Sequence, residues 1–149
     1  MATYSSLVSP LLSRTAWYSD SNRNNFSNIT ISAGDAISVA VVVSTTSGNV
    51  TVENLTNGQV LNKTLTSESL PLCGRYADWV VQEMEVEGPL LNFGTLNYTN
   101  ARAFGNGKSY TPYYGSNVSL VNMVRNGQTL ANASTSRCSQ SLEIQYTGP

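Results

Sequence analysis

Apolar residues in this chain recur at every second position, in short runs separated by turn-forming residues. In "AISVAVVVS" the residues Ile37, Val39, Val41 and Val43 fall on one side of an extended backbone. "NVTVENLT" and "QVLNKTLT" continue the alternation on either side of Asn57-Gly58, a dipeptide suited to the left-handed conformations of tight hairpins. "NITIS" (28–32), ahead of the turn at Ala33-Gly34-Asp35, and "ADWVVQEME" (77–85) read as further strands. So does "LLNFGTLNYTNARAF" (90–104), one long strand bent by a bulge at Gly94. "NVSLVNMVRNGQTLANAS" (117–134) predicts a second hairpin turning at Asn126-Gly127, and "SLEIQY" (141–146) a last strand. "SDSNRNNFSN" (19–28) and the tyrosine-bearing "GNGKSYTPYYGSN" (105–117) read as loops, and no stretch of useful length keeps a helical period. Short strands at this spacing predict an all-β, antiparallel β-sandwich. It occupies one domain over residues 16–149, after a poorly defined amino-terminal segment, residues 1–15.

Composition narrows the function. Charged residues make up 11% of the 149, with eight Lys and Arg against nine Asp and Glu, which argues against nucleic acid as a partner. No run approaches the roughly 18–20 apolar residues of a membrane span, so no membrane partner is expected. Polarity comes instead from Ser, Thr and Asn. Protonating the nine carboxylates would leave little self-repulsion, a composition suited to acidic surroundings. Asn-x-Ser/Thr sequons occur at Asn25, Asn28, Asn49, Asn54, Asn62, Asn97, Asn117 and Asn132, and use of several would mean passage through a secretory pathway. "MATYSSLVSPLLSRTAW" carries no legible signal peptide. Cys73 and Cys138 leave three readings open: a disulfide, two buried thiols, or a Cys73 whose partner lies outside this sequence.

The chemistry available is limited to carboxylates. With no histidine, Ser-His-Asp and Cys-His arrangements cannot form, and no metal site or cofactor is expected. Acidic groups concentrate at Asp78, Glu83, Glu85 and Glu87. Alternation sets Trp79, Val81, Glu83 and Glu85 on one face and Asp78, Val80, Gln82 and Met84 on the other. Tyr110, Tyr113 and Tyr114 either stack on a ligand or fold back over one end of the core.

In order along the chain, "FSNITISAGD", "ENLTNGQ", "LC" at Leu72-Cys73, "ADWVVQEME" and "LNFGTLNYTNA" resemble the carboxy-terminal two thirds of the fungal glutamic peptidases, the eqolisins. The resemblance covers about Ala16 to Tyr146. It implies a concanavalin A-like β-sandwich, secretion, and acid endopeptidase activity on peptide or protein substrates. "AWY" resembles the family's substrate-cleft segment, which would make Trp17 and Tyr18 substrate-binding residues, followed here by a shortened loop. In that family a glutamate activates the attacking water and a glutamine from an earlier strand stabilises the oxyanion. The glutamate position corresponds to Gln82, an amide that can hydrogen-bond but has no useful basicity. No glutamine lies in residues 1–15. The resemblance therefore implies a catalytically inactive or truncated member, lacking its first strands and self-associating through exposed sheet edges. Two alternatives stay open: an active acid endopeptidase with its base displaced to Glu83, and a lectin-like module gripping peptide or glycan through Trp17 and the tyrosine loop.

Overall fold

The computed structural model describes residues 2–7, 16–19, 22–25, 28–66, 77–81, 90, 92–113 and 118–148, the first three stretches as backbone alone. Eleven strands form among them: β1 (Ala2–Leu7), β2 (Ala16–Ser19), β3 (Asn22–Asn25), β4 (Ala36–Val43), β5 (Ser47–Asn54), β6 (Gln59–Thr66), β7 (Thr95–Gly105), β8 (Lys108–Tyr110), β9 (Met123–Arg125), β10 (Gln128–Ser136) and β11 (Ser141–Tyr146). The described protein is all-β, with every pairing antiparallel. Nine strands make one sheet in the order β6-β5-β4-β1-β7-β11-β10-β9, with β8 hydrogen-bonded to β7, while β2 and β3 form a separate hairpin.

Turn chemistry explains three of the connections. Asn106-Gly107 between β7 and β8 and Asn126-Gly127 between β9 and β10 are two-residue loops with both residues left-handed (φ 52° and 72°; 52° and 79°). That backbone matches the twist of the strands it joins. Lys108–Tyr110 thus form a strand where a loop was expected over residues 105–117, since Asn106-Gly107 carries the same hairpin signal as Asn126-Gly127. The connection at Asn57-Gly58 differs in kind. It is a four-residue loop in which Gly58 alone is left-handed (φ 74°), and the Gly58 amide donates to the Asn54 carbonyl at 2.8 Å.

Registers place the apolar side chains on one face. Ile37, Val39 and Val41 of β4 lie opposite Asn54, Val52 and Val50 of β5. Through β1, Ile37 and Tyr98 share the partner Ser6, and Tyr98 and Leu96 lie opposite Leu142 and Ile144 of β11. Directly opposed residues share a face, so both halves of the sheet present their apolar residues the same way. Two clusters result. Ile37, Val41, Val50, Val52 and Leu65 form one, covered by Ile29 and Ile31. Phe93, Leu96, Ala101, Tyr113, Ala131, Leu142 and Ile144 form the other, covered by Trp79, Val81 and Leu90. Phe93 meets Tyr146 edge to face at 5.9 Å between ring centres. Burying each such aliphatic side chain contributes about 1.5–3 kcal/mol, so these faces carry most of the folding drive.

Several sequence expectations are corrected. Residues 28–32 are not a strand: side chains satisfy their backbone in place of a ladder. The Thr30 amide donates to Gln59 Oε1 at 2.8 Å, and its carbonyl accepts from Asn54 Nδ2 at 2.9 Å. The bulge in β7 sits at Asn100 (φ 56°), where two residues of β7, Asn100 and Ala101, oppose Tyr4 of β1, whereas Gly94 precedes the strand. Residues 2–7 form a central strand, and residues 16–25 hold a hairpin where a loop was expected from Ser19 onward. Cys138 is a free, exposed thiol, which removes the reading of two buried thiols; Cys73, its candidate partner, lies outside the described residues.

Candidate functional site

Residues 77–81 lie over the second apolar cluster. Trp79 and Val81 pack onto it, while Asp78 and Val80 face away, Val80 with 59% of its surface exposed. The alternation expected of "ADWVV" is therefore real, although residues 77–81 are extended chain outside any sheet and not the strand expected there. Tyr98, on the cluster side of β7, donates its hydroxyl to the Val80 carbonyl at 3.2 Å, fixing the segment's height above the sheet. Leu90 packs on the same cluster. Val81 and Leu90, the described residues on either side of the acidic run, thus pack on one apolar base. Gln82, Glu83, Glu85 and Glu87 fall outside the described residues.

Trp17 and Tyr18 lie on β2, opposite Asn24 and Arg23 of β3. Among the described residues nothing brings this hairpin together with residues 77–81. The tyrosine stretch divides. Tyr110 ends β8 and is exposed, and Tyr114 lies outside the described residues. Tyr113 is a core residue with 4% exposure. Its hydroxyl accepts from the Ala101 amide at 2.8 Å and donates to the Tyr98 carbonyl at 3.2 Å, so it bridges the β7 bulge.

Burial raises the ionisation of Tyr113 above its ordinary value, opposed by the Ala101 amide and by Arg102. A raised tyrosine leaves its stabilisation intact below about pH 10 and removes it as pH climbs through the folded value. Alkaline unfolding followed by circular dichroism is expected to begin above that pH. Tyr113→Phe should cost about 1–3 kcal/mol at neutral pH, because the buried Ala101 amide loses its acceptor. A neutral-pH loss within experimental error would count against this bridging role.

The motif residues that marked the resemblance meet at a second place, one that the sequence did not single out. Asp35 Oδ2 accepts from the Ser32 amide and from Asn54 Nδ2, both at 2.8 Å. Asn54 Oδ1 accepts from the amides of Thr56 at 2.9 Å and Asn57 at 3.3 Å. The aspartate of "AGD" and Asn54 of "ENLTNGQ" thus close a buried polar staple that, with an exposed bond from the Thr30 amide to Gln59, pins residues 28–35 to the β5–β6 hairpin. Their role is architectural. Among the described residues no group of three His, Cys, Asp or Glu could hold a metal ion.

A family model for the peptidase A4 family matches residues 12–146. Aspergillopepsin-2 of Aspergillus niger is 37% identical over 125 residues, covering 80% of this chain and 43% of that protein. Scytalidopepsin B of Scytalidium lignicola is 42% identical over 71 residues, covering 46% of this chain and 27% of that protein. The chain thus spans less than half the length of these curated relatives. The crystal structure of aspergilloglutamic peptidase from Aspergillus niger superposes with a TM-score of 0.71 at 27% identity, covering 98% of this chain and 99% of that one. Scytalido-glutamic peptidase, solved with a peptide-based transition state analog, shares the fold at a TM-score of 0.66 and 23% identity, covering 98% of this chain and 83% of that one. By sequence and by its β-sandwich fold, this chain belongs to the peptidase A4, or eqolisin, family of glutamic peptidases.

Proposed function

We propose that this chain is a secreted, peptide-binding member of the glutamic endopeptidases whose hydrolytic step is disabled at Gln82. One observation carries the reading: Trp79 and Val81 pack down on the cluster while Asp78 and Val80 face away. In the sequence, Gln82 follows this segment in alternation with Asp78 and Val80, at the position matching the family's glutamate, which supports the reading. Glu83 takes the parity of Trp79 and Val81, which argues against it as a displaced base, since a shift of one residue inverts a strand. An amide there can orient a water or a peptide carbonyl but cannot take the proton that hydrolysis must remove. Trp17 and Tyr18 are the proposed substrate contacts. The sparse charge and the sequons support acidic, extracellular surroundings.

Incubation with an unfolded protein at about pH 3, below the ordinary carboxylate range, is expected to leave the protein uncut. Peptide titration should still change the tryptophan fluorescence. Acid-stimulated cleavage that Glu83→Gln abolishes would overturn the reading in favour of an active endopeptidase. Glycan binding without peptide binding would favour the lectin-like module.

A further inference from the structure

The sequons are not equivalent once folded. Asn54 has no exposed surface, and its Nδ2 donates to both Asp35 and the Thr30 carbonyl. Asn49 and Asn62 are exposed on neighbouring strands, on the sheet face opposite Val50 and Val52. Their pairing is reciprocal. Asn49 lies directly opposite Thr64, the hydroxyl residue of the Asn62 sequon, and Thr51, the hydroxyl residue of the Asn49 sequon, lies opposite Asn62. Asn49 Nδ2 donates to Thr64 Oγ1 at 3.2 Å and Thr51 Oγ1 donates to Asn62 Oδ1 at 2.6 Å. Both acceptor amides thus project from one flat polar patch.

That patch adjoins features that water covers poorly. Val42, 49% exposed, lies directly opposite Asn49, and Val60, 55% exposed, lies two residues before Asn62 on the same face. β6 is an edge strand of the sheet among the described residues. Long edges beside exposed apolar groups favour pairing between copies, and bulky polar substituents prevent it.

We infer that Asn49 and Asn62 are N-glycosylation sites whose sugars shield the β5–β6 face and its edge, and that Asn54 is unmodified in the folded protein. The donor is a lipid pyrophosphate-linked oligosaccharide of the secretory pathway. A bond forms from asparagine Nδ2 to the sugar's anomeric carbon as that carbon's bond to the pyrophosphate oxygen breaks. The pyrophosphate leaves with the electron pair, and the amide nitrogen releases one proton. Oligosaccharide at Asn49 would lie across Val42, and at Asn62 beside the β6 edge. At Asn54 it would have to displace the staple that holds residues 28–35.

The inference rests on the secretion reading, so the test supplies entry to the pathway. The full chain behind a cleavable leader is expressed in a eukaryotic secretory host and its folded monomer isolated. Glycan release by peptide-N-glycosidase in heavy-oxygen water then marks every formerly modified asparagine. Tags are expected at Asn49 and Asn62 and none at Asn54. Thr51→Ala should remove the Asn49 tag alone, and Thr64→Ala the Asn62 tag alone, each with one step less on a gel. Translation of the same chains into microsomes gives those gel steps without needing export of a folded product. A folded pool bare at either Asn49 or Asn62, sugar on Asn54 in that pool, or gel steps unmoved by both threonine variants would overturn the inference. Because the leader provides entry, such a failure leaves the question of native secretion separate.

Discussion

Exchanging Gln82 for glutamate is expected to raise acid hydrolysis of an unfolded protein by at least about 10²-fold, the lower end of what a positioned general base supplies. The exchange is close to isosteric. It converts an oxygen and an NH₂ group into two oxygens, one of which accepts a proton once the group ionises. The gain should be greatest above the carboxyl's own ionisation and fall in stronger acid, giving a limb in the pH–rate profile that the parent lacks. Glu83→Gln in the same background should leave the gain in place, because Glu83 takes the parity of Trp79 and Val81. Initial rates of peptide release, with near-ultraviolet circular dichroism showing unchanged packing, decide the matter. An intact variant no faster than the parent would remove Gln82 as the disabling position.

Asn54→Ala is expected to be the most damaging polar substitution among the described residues, costing roughly 3 kcal/mol or more. Alanine would leave Asp35 Oδ2 without its side-chain donor, the Thr30 carbonyl short of a partner, and two loop amides without an acceptor. Each buried polar group left unsatisfied costs about 1–3 kcal/mol. Asn57→Ala, which removes only an exposed contact to Thr30 at 3.3 Å and local ones at the loop, should cost under about 1 kcal/mol. Urea denaturation of the two variants tests the contrast. Equal losses would show that the staple is not the point of strength inferred here.

The strands that announced themselves in the sequence are those with one wet and one buried face. Val50 and Val52, and Leu142 and Ile144, alternate cleanly because the opposite face carries Asn, Thr, Ser and Glu, while Ile37 and Val41 alternate with small residues and the exposed Val42. β1 was invisible for a physical reason. "ATYSSL" has no apolar alternation, and its place is set by partners far along the chain that local pattern does not encode. The hairpin of β2 and β3 hides in polar residues in the same way, and residues 28–32 imitate a strand because Ile29 and Ile31 alternate into the core while the backbone of Thr30 bonds to amide side chains and that of Ser32 to Asp35. At the candidate site, Trp79 and Val81 advertised their inward face. The bond from Tyr98 to the Val80 carbonyl joins residues 18 apart, and no spacing rule reveals it.

The central place of β1 has a consequence for how the protein is made. Translation delivers residues 2–7 before either neighbour exists, since β4 begins at Ala36 and β7 at Thr95. Until the latter emerges, one flank of the early strand has nothing to bind, and the two sides of the sheet cannot join. Contacts so distant along the chain form slowly, so the nascent protein passes a long interval with an open flank, when a chaperone or another nascent chain has its best chance to bind.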